Sequence, residues 1–263
     1  IGCETCMRGL TTGGDGLCVV RDDDMPWFSA AVKEADALIL ATPIYDLIPT
    51  GTVVTLLNRV LGIGKEYQTY CRTHPKIGAA MALGGSDWIN LTEPLMDLTV
   101  RNLSKGSVIV DKFVVGHNPA PSMVVLDEAV LERAALLGRR VGEALMDREH
   151  AGFAGDSGVC PACHCNLLEP RGGARVGCPY CDAEGTAVIR DGSLVVEWDA
   201  DKVRDNRFGP AGDAHHRLFQ QAQAVQGFCN GIPPFFGLLH GLCLGPWDLC
   251  DGLFQCHSFH SFW

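Results

Sequence analysis

Unbroken apolar runs that stop at proline or glycine mark the first half of the chain. The run Ala37–Ala41 shows no alternation with polar residues and ends at Thr42-Pro43. Such a run predicts a β-strand buried on both faces, as in a parallel sheet covered by helices. Because Pro43 cannot donate a backbone hydrogen bond, we expect this strand to stop at Thr42.

Two more apolar runs and several helical patterns complete this half. Lys76–Leu83 and Ser107–Val115 predict strands, and polar Asp111-Lys112 makes the second typical of an edge strand. Helical patterns cover four segments, Asp22–Glu34 with acidic N-terminal capping, Thr50–Leu61, Asn90–Ser104 and Asp127–Arg148. The alternation predicts an α/β fold with a parallel sheet. The apolar face of the last helix, which we expect to pack on the core, consists of Val130, Leu131, Ala134, Leu137, Val141 and Leu145.

Two loops follow neighbouring predicted strands. In open α/β sheets, ligands bind beyond the carboxyl ends of the strands, so we expect a ligand at the loop Thr42–Pro49. The double glycine Gly84-Gly85 ends the next strand and allows a ligand to approach the backbone closely. A plain turn is the alternative interpretation of these glycines.

The segment ADALILATPIYDLIPTGTVVTLLNRV resembles NAD(P)H-dependent FMN reductases of the flavodoxin-like superfamily. Upstream, GCETCMRG and GLCVVRDDDM resemble the iron–sulfur flavoprotein branch, and the resemblance covers roughly residues 1–150. The resemblance implies an oxidoreductase that binds FMN at the carboxyl ends of the strands, where NAD(P)H reduces the flavin. The residues that it assigns to the flavin are Thr42, Pro43, Ile44, Tyr45, Gly51, Gly84 and Gly85.

The same resemblance implies the strand order 2-1-3-4-5, of which the chain would carry strands 3, 4 and 5. The sequence begins at Ile1, within the cysteine loop of the family. We therefore expect residues 1–149 to form a flavodoxin-like domain that lacks its first two strands and its phosphate loop. The family also implies a homodimer, and its electron acceptor would be a small molecule or a protein.

Cys3, Cys6 and Cys18 form an N-terminal cysteine group, with eleven residues between the last two. The resemblance implies a four-cysteine iron–sulfur set whose remaining member would precede Ile1. The alternative is a simple flavin reductase in which this loop carries cysteines but no cluster. Three cysteines leave both interpretations open.

Charge and cysteine content narrow the functional class. The formal charge is −10 and no Lys/Arg run is present, which argues against binding nucleic acid or an anionic membrane. The chain has 13 cysteines, and CxxC pairs recur without a visible secretion signal. This pattern favours metal ligation in a reducing, cytoplasmic setting over disulfides.

A second module is predicted at 159–217, after the glycine-rich linker 150–158. Its two CxxC pairs are separated by fourteen residues and predict a tetrahedral four-thiolate site formed by Cys160, Cys163, Cys178 and Cys181. The segment resembles a zinc ribbon or a rubredoxin-like module. Zinc is the expected metal, iron is the alternative, and His164 and Cys165 are interpreted as bystanders. Short strands at Ala187–Ile189 and Leu194–Trp198 flank a turn at Asp191-Gly192.

The tail 218–263 has a different composition, rich in Phe, Gly, Cys and His. Gly227–Trp247 carries no formal charge, but Pro233-Pro234 and several glycines make it a poor membrane-spanning helix. A disordered or non-native terminus is the favoured interpretation.

Three functions are compatible with these patterns. The leading hypothesis is an NAD(P)H-dependent FMN oxidoreductase that passes electrons to an unidentified acceptor, with an iron–sulfur cluster as an option. The alternatives are a non-enzymatic carrier of electrons on flavin and iron, and a zinc-ribbon protein-interaction module. No side chain stands out as a general acid or base, and hydride transfer through a flavin requires none.

Overall fold

The computed structural model describes residues 20, 22–60, 65–118, 120–156, 158–209, 211–212 and 214. All of them lie in the first of two units into which the chain divides, Ile1–Arg217. The cysteines predicted as cluster ligands (Cys3, Cys6 and Cys18) and the tail 218–263 lie outside the described residues.

A parallel sheet forms the centre of the first part of the chain. Its strands are β1 (Ala37–Tyr45), β2 (Ile48–Pro49), β3 (Ile77–Leu83) and β4 (Val108–Val115). The order is β2-β1-β3-β4, in which β1, β3 and β4 run parallel and the short β2 pairs antiparallel with the end of β1. The predicted three parallel strands and their order are confirmed, and the sheet with its helices has the flavodoxin-like α/β arrangement.

Helices flank this sheet on both faces. They are α1 (Met25–Glu34), α2 (Gly51–Val60), α3 (Lys65–Thr73), α4 (Thr92–Leu103), α5 (Pro121–Val124) and α6 (Glu128–Met146). Sequence analysis did not predict α3 and α5. On one face, α6 packs on β3 and β4, and on the other α4 buries Met96 and Val100 against the strands.

The prediction that β1 stops at Thr42 is wrong. The strand continues through Pro43, which pairs in register with Leu83 of β3, and ends at Tyr45. A proline removes one donor but keeps its carbonyl and an extended backbone, and on the edge of a ladder the missing donor costs no hydrogen bond. Among the described residues, β2 is the partner of β1 on the side away from β3, and it pairs only with Ile44 and Tyr45.

The expectation that β1 is buried on both faces is also wrong. Ile39 is 51% exposed, and exposure alternates along the strand so that Ala41, Pro43 and Tyr45 share the open face. The helix α6 packs mainly on β3 and β4, which leaves this face of β1 uncovered within the described part of the chain. The buried face of the same strand carries Thr42 and Ile44.

Sequence analysis correctly places β4 at an edge, but its polar pair is not exposed. Asp111 and Lys112 are buried, at 0% and 4% exposure. Each is compensated by charge: Asp111 by Arg133 and Arg140 of α6, and Lys112 by Glu93 of α4. Buried charges require such partners, and these lie far away in sequence.

Two helix predictions need smaller corrections. Leu131 is 47% exposed, whereas Leu137 and Val141 of the same predicted face are buried in α6. The side chain of Asp24 does not cap α1; instead Asp23 accepts a hydrogen bond from the Met25 amide and pairs with Arg59. Asp24 still stands directly before Met25, the first helical residue, but its side chain makes no capping hydrogen bond.

The segment 150–158 is packed rather than a free linker. The amide of Ala154 donates to the carbonyl of Val110 in β4, at 2.8 Å. Phe153 contacts the core cluster that includes Ile44 and Met96. Both contacts hold the following module against the α/β part.

A small antiparallel sheet forms the rest of the described chain. Its strands are β5 (Glu169–Pro170), β6 (Arg175–Gly177), β7 (Glu184–Arg190) and β8 (Ser193–Trp198), in that order, followed by the helix α7 (Ala200–Arg204). The strands predicted at 187–189 and 194–198 are confirmed and longer than expected. Asp191 and Gly192 both have positive φ, which gives the predicted two-residue hairpin its twist.

Candidate functional site

The first candidate site is a hairpin at the carboxyl end of β1. Tyr45 and Ile48 pair across a two-residue turn in which Asp46 and Leu47 have φ values of 48° and 75°. Two positive φ values give a turn whose twist matches a tight β-hairpin. The side chain of Tyr45 is 64% exposed, whereas Ile44 is buried, so the hairpin presents its tyrosine outward.

Hydrogen bonds fix this hairpin to its surroundings. The hydroxyl of Thr92 at the start of α4 donates to the carbonyl of Leu47 at 2.9 Å. The buried Thr42 hydroxyl donates to the carbonyl of Pro43 and accepts from the amide of Thr50 just before α2. Thr42 therefore acts through the backbone, and its side chain faces inward.

The double glycine lies next to the hairpin, because β1 and β3 are paired neighbours. The amide of Gly84 donates to the carbonyl of Val115, and a Cβ at Gly84 would lie 3.2 Å from Cδ1 of Ile44. Glycine at position 84 is thus explained by packing against Ile44 and against Ile89, whose Cγ2 would lie 3.0 Å from the same Cβ. Gly85 and Gly51 are exposed, and a Cβ at Gly51 would meet nothing within 4 Å. Of the predicted flavin residues, Pro43, Tyr45, Gly51 and Gly85 face outward.

Apolar side chains remain exposed around this edge of the sheet. Trp88 and Leu91, in the loop between β3 and α4, are 59% and 43% exposed. Open backbone at Gly51 and Gly85 beside an exposed aromatic ring suits a flat, largely apolar molecule with polar edges. The arrangement therefore fits the isoalloxazine that the sequence predicted.

A cavity at the opposite, amino edge of the sheet has a structural explanation. Its lining includes Lys33, Tyr70 and Lys76. The ammonium of Lys76 donates to the carbonyl of Lys33 at 2.9 Å, near the C-terminus of α1. A cation at that position stabilises the helix end.

The second candidate site is the predicted set of four cysteines, which the structure brings together. The Sγ atoms of Cys160, Cys163, Cys178 and Cys181 all lie within 4.8 Å of one another, and all four residues are buried. The Sγ–Sγ distance is 3.5 Å for both Cys160–Cys181 and Cys163–Cys178. Tetrahedral zinc with Zn–S bonds of about 2.3 Å needs sulfurs about 3.8 Å apart, so the donor set fits a four-thiolate metal ion.

Two matching loops position these sulfurs. In each, the amide of the first cysteine donates to a carbonyl five residues later: Cys160 to Cys165 at 3.0 Å and Cys178 to Ala183 at 2.8 Å. The residues after the second cysteines, His164 and Asp182, have φ values of 57° and 68°. This left-handed turn folds each CxxC so that both thiols point to one centre.

The packing of four thiols perturbs their ionisation. Hydrogen bonding with Cys163 is the main cause that lowers the pKa of Cys160 to about 7, and hydrogen bonding with Cys160 raises the pKa of Cys163. Four adjacent thiolates repel one another unless a cation is shared among them. A bound divalent metal holds all such thiols deprotonated.

His164 and Cys165 are not part of the sulfur cluster. The imidazole of His164 stacks on Phe153, with ring centroids 3.8 Å apart. The thiol of Cys165 accepts a hydrogen bond from the amide of Leu167. Their places agree with the interpretation of both residues as bystanders to the metal.

The structure adds residues that sequence analysis missed. Lys112 donates to the carbonyl of Cys163 at 3.0 Å, and the guanidinium of Arg101 lies over the ring of Phe208 at 5.0 Å. These contacts join β4 and α4 to the cysteine module. A single Lys or Arg in a strand or helix does not show from the sequence which distant residue it will contact. The one hint in the sequence is that Lys112 interrupts an apolar run.

Comparison with known proteins finds a family that is similar to the first part of the chain. Residues 6–117 match the model of the NADPH-dependent FMN reductase family. The match covers less than half of the chain, and this segment is similar to that family. It contains the Tyr45 hairpin and both glycine loops, the residues for which the sequence predicts contact with a flavin.

Two curated relatives are similar to more than half of the chain. The flavone synthase cfoJ of Aspergillus candidus is 29% identical over 188 residues, which are 64% of this chain and 58% of that protein. The iron-sulfur flavoprotein of Archaeoglobus fulgidus is 29% identical over 143 residues, 54% of this chain and 58% of that protein. The chain thus spans 58% of the length of each of these two relatives.

A solved flavone reductase shares the fold. It superposes with a TM-score of 0.65 over 80% of this chain and 76% of that chain, at 24% sequence identity. Within the described ranges, no helix combines the length and the apolar character that crossing a membrane requires.

Proposed function

We propose that this protein is an NAD(P)H-dependent FMN oxidoreductase that passes electrons to a separate acceptor. The observation that carries the proposal is the hairpin of Tyr45–Ile48 beside Gly84-Gly85, within a segment that is similar to the FMN reductase family. When bound, FMN would supply the hydride chemistry. The protein would bind the flavin, orient it and exclude water from one of its faces.

Each outward-facing residue has a proposed part in flavin binding. The ring of Tyr45 would lie against the isoalloxazine, and Pro43 would add apolar contact on the same face of β1. The backbone at Gly51 and Gly85 would approach the polar edges of the ring. Thr42 and Ile44 would hold the hairpin in place from its buried side.

We further propose a planar aromatic compound as the acceptor. Two similar proteins are named flavone synthase and flavone reductase, and exposed Trp88 and Tyr45 offer aromatic surfaces on which a flat ring system could stack. Flavone is therefore the acceptor to test first.

The homodimer predicted from the sequence stays a proposal. Trp88 and Leu91, in the loop after β3, are exposed, and Leu126, which lies between α5 and α6, is 84% exposed. Burial of such side chains against a second copy would be favourable. Light scattering on the purified protein measures this directly.

The test of the proposed function is a titration of the purified chain with FMN, followed by an assay of NADH and NADPH oxidation. We expect flavin fluorescence to be quenched on binding and nucleotide oxidation to need the protein–flavin complex. Failure to bind FMN, or binding without nucleotide oxidation, would reject the reductase. The second outcome would favour the electron carrier.

The proposed metal is zinc, held by Cys160, Cys163, Cys178 and Cys181, with iron as the alternative for the same ligands. Its proposed role is to fold the small module, whose sheet is too short to supply a sufficient core. Metal analysis of protein purified without chelators distinguishes the two ions.

A further inference from the structure

The cysteine centre and the Tyr45 hairpin are joined by a continuous path of contacts. The ammonium of Lys112 lies 3.0 Å from the carbonyl oxygen of Cys163 and 3.0 Å from a carboxylate oxygen of Glu93. Lys112 is 4% exposed, so its charge depends on these two partners. One buried side chain thus connects a predicted metal ligand with the first turn of α4.

The first turn of α4 then holds the hairpin. Thr92 precedes Glu93, is fully buried, and donates its hydroxyl hydrogen to the carbonyl of Leu47 in the turn. A displacement of Glu93 therefore moves the group that fixes the turn between Tyr45 and Ile48.

A second set of contacts leads from the same cysteine loop to the core beneath the hairpin. His164 follows Cys163 and stacks on Phe153 with planes 9° apart. Phe153 packs on the core cluster that contains Ile44. Ile89 packs on the same cluster. The first route thus ends at the Leu47 carbonyl in the turn, and the second, which begins at the residue after Cys163, ends at the core cluster that contains Ile44.

We infer that metal binding by the four cysteines orders the Tyr45–Ile48 hairpin, through the contact of Lys112 with Cys163. With metal bound, the Cys163 loop is fixed and its carbonyl satisfies Lys112. Without metal, the four crowded thiols separate and the Cys163 carbonyl moves away from Lys112. The buried ammonium of Lys112 then loses one of its two partners, and Glu93 shifts with it. Since the hairpin carries the flavin-binding tyrosine, metal and FMN would each increase the affinity for the other, and this last consequence rests on the proposed function.

The test is amide hydrogen exchange of residues 44–48 in the full chain, loaded with zinc and stripped of it. We expect zinc removal to speed exchange in this hairpin by about tenfold, a typical size for coupling between sites. In zinc-loaded Lys112→Met, exchange should already be fast, and zinc removal should change it little. Glu93→Gln, which keeps the shape of the side chain, should give the same result if Lys112→Met fails to fold.

Arg190→Met is the matched control. Arg190 is an exposed basic residue of the same module, paired with Glu197, and has no contact with the route. This variant should respond to zinc as the wild type does. Equal hairpin exchange with and without zinc, or wild-type exchange in both Lys112→Met and Glu93→Gln, would overturn the inference.

Titrations with FMN separate this inference from the proposed function. If the function holds, zinc should raise FMN affinity about tenfold in the wild type and not in Lys112→Met. If FMN binds in neither zinc state, the reductase proposal fails, while hairpin exchange still decides the coupling. If FMN binds equally in both states, the reductase stands and the coupling is rejected.

Discussion

Arg133 holds Asp111 through two parallel hydrogen bonds of 2.8 and 2.7 Å, and the carboxylate that it holds is fully buried. Arg140 adds a third bond at 3.0 Å. All three connect β4 with α6, so this cluster fastens the helix that covers one face of the sheet. Bidentate charge-assisted pairs are among the stronger hydrogen bonds of proteins.

Asp111→Asn should destabilise the protein by about 3 kcal/mol, because it removes the buried charge that two guanidinium groups share and leaves Arg133 only the exposed Asp156 as a partner. Denaturant unfolding of the two proteins at neutral pH measures this difference. Asp147→Asn, which changes an exposed carboxylate paired with His150, serves as the control and should be nearly neutral. A loss below about 1 kcal/mol for Asp111→Asn would show that the buried cluster is not stabilising.

Acid should weaken the same cluster. Burial alone would raise the pKa of Asp111, but hydrogen bonds from Arg133 and Arg140 outweigh it and hold that pKa below its usual value. Since the folded pKa lies below the unfolded one, the contribution is complete above about pH 4 and is lost as pH falls through the folded pKa. Unfolding free energies measured from pH 7 to pH 3 should fall more steeply for the wild type than for Asp111→Asn. Parallel curves would contradict this assignment.

Two glycines of the segment 150–158 offer a matched pair of substitutions. A Cβ at Gly155 would lie 2.7 Å from Oδ1 of Asp111 and 2.6 Å from the ring of Phe153, whereas a Cβ at Gly152 would meet nothing within 4 Å. Gly155→Ala should therefore cost about 1–3 kcal/mol by overpacking. Gly152→Ala should be close to neutral, and thermal unfolding of both variants decides whether this segment is packed as described.

Sequence reasoning succeeded where the signal is local. The apolar strands, the Asp191-Gly192 turn and the two CxxC pairs each carry their information within a few residues, and the structure contains all of them. Sequence reasoning failed where a side chain pairs with a residue that is distant along the chain. Asp111 suggested an exposed edge because Arg133 lies 22 residues away and gives no local sign of the pairing.

The prediction of where β1 ends was wrong for another reason. A proline was taken as a stop, but whether it interrupts a strand depends on whether a neighbour needs its missing donor. Only the position of Pro43 at the edge, beside the short β2, answers that question. The exposed orientation of Tyr45 follows from the same register and could not be known before the strand's true end.

Removal of one ligand should empty the cysteine centre. Cys178→Ser should lose its tightly bound metal and part of its stability, because a three-thiolate set binds zinc or iron more weakly than the complete set. Cys165→Ser is the control, since Cys165 is buried beside the four ligands but outside their cluster. Elemental analysis should find about one metal ion fewer in Cys178→Ser than in the wild type and in Cys165→Ser. Retention of metal by Cys178→Ser would contradict the ligand assignment.

Tyr45 offers the most direct test of the flavin site. Its ring is 64% exposed on the hairpin, so Tyr45→Ala removes apolar contact area without leaving a cavity in the core. Loss of a stacked aromatic contact, worth about 1.4 kcal/mol, should weaken FMN binding about tenfold and leave the unfolding free energy nearly unchanged. Trp27→Ala in α1 removes a similarly exposed aromatic ring that is not among the predicted flavin residues, and it should bind FMN as the wild type does. Equal FMN affinity of Tyr45→Ala and wild type in a fluorescence titration would place the isoalloxazine elsewhere. A parallel loss in both variants would instead indicate a general effect of removing surface aromatics.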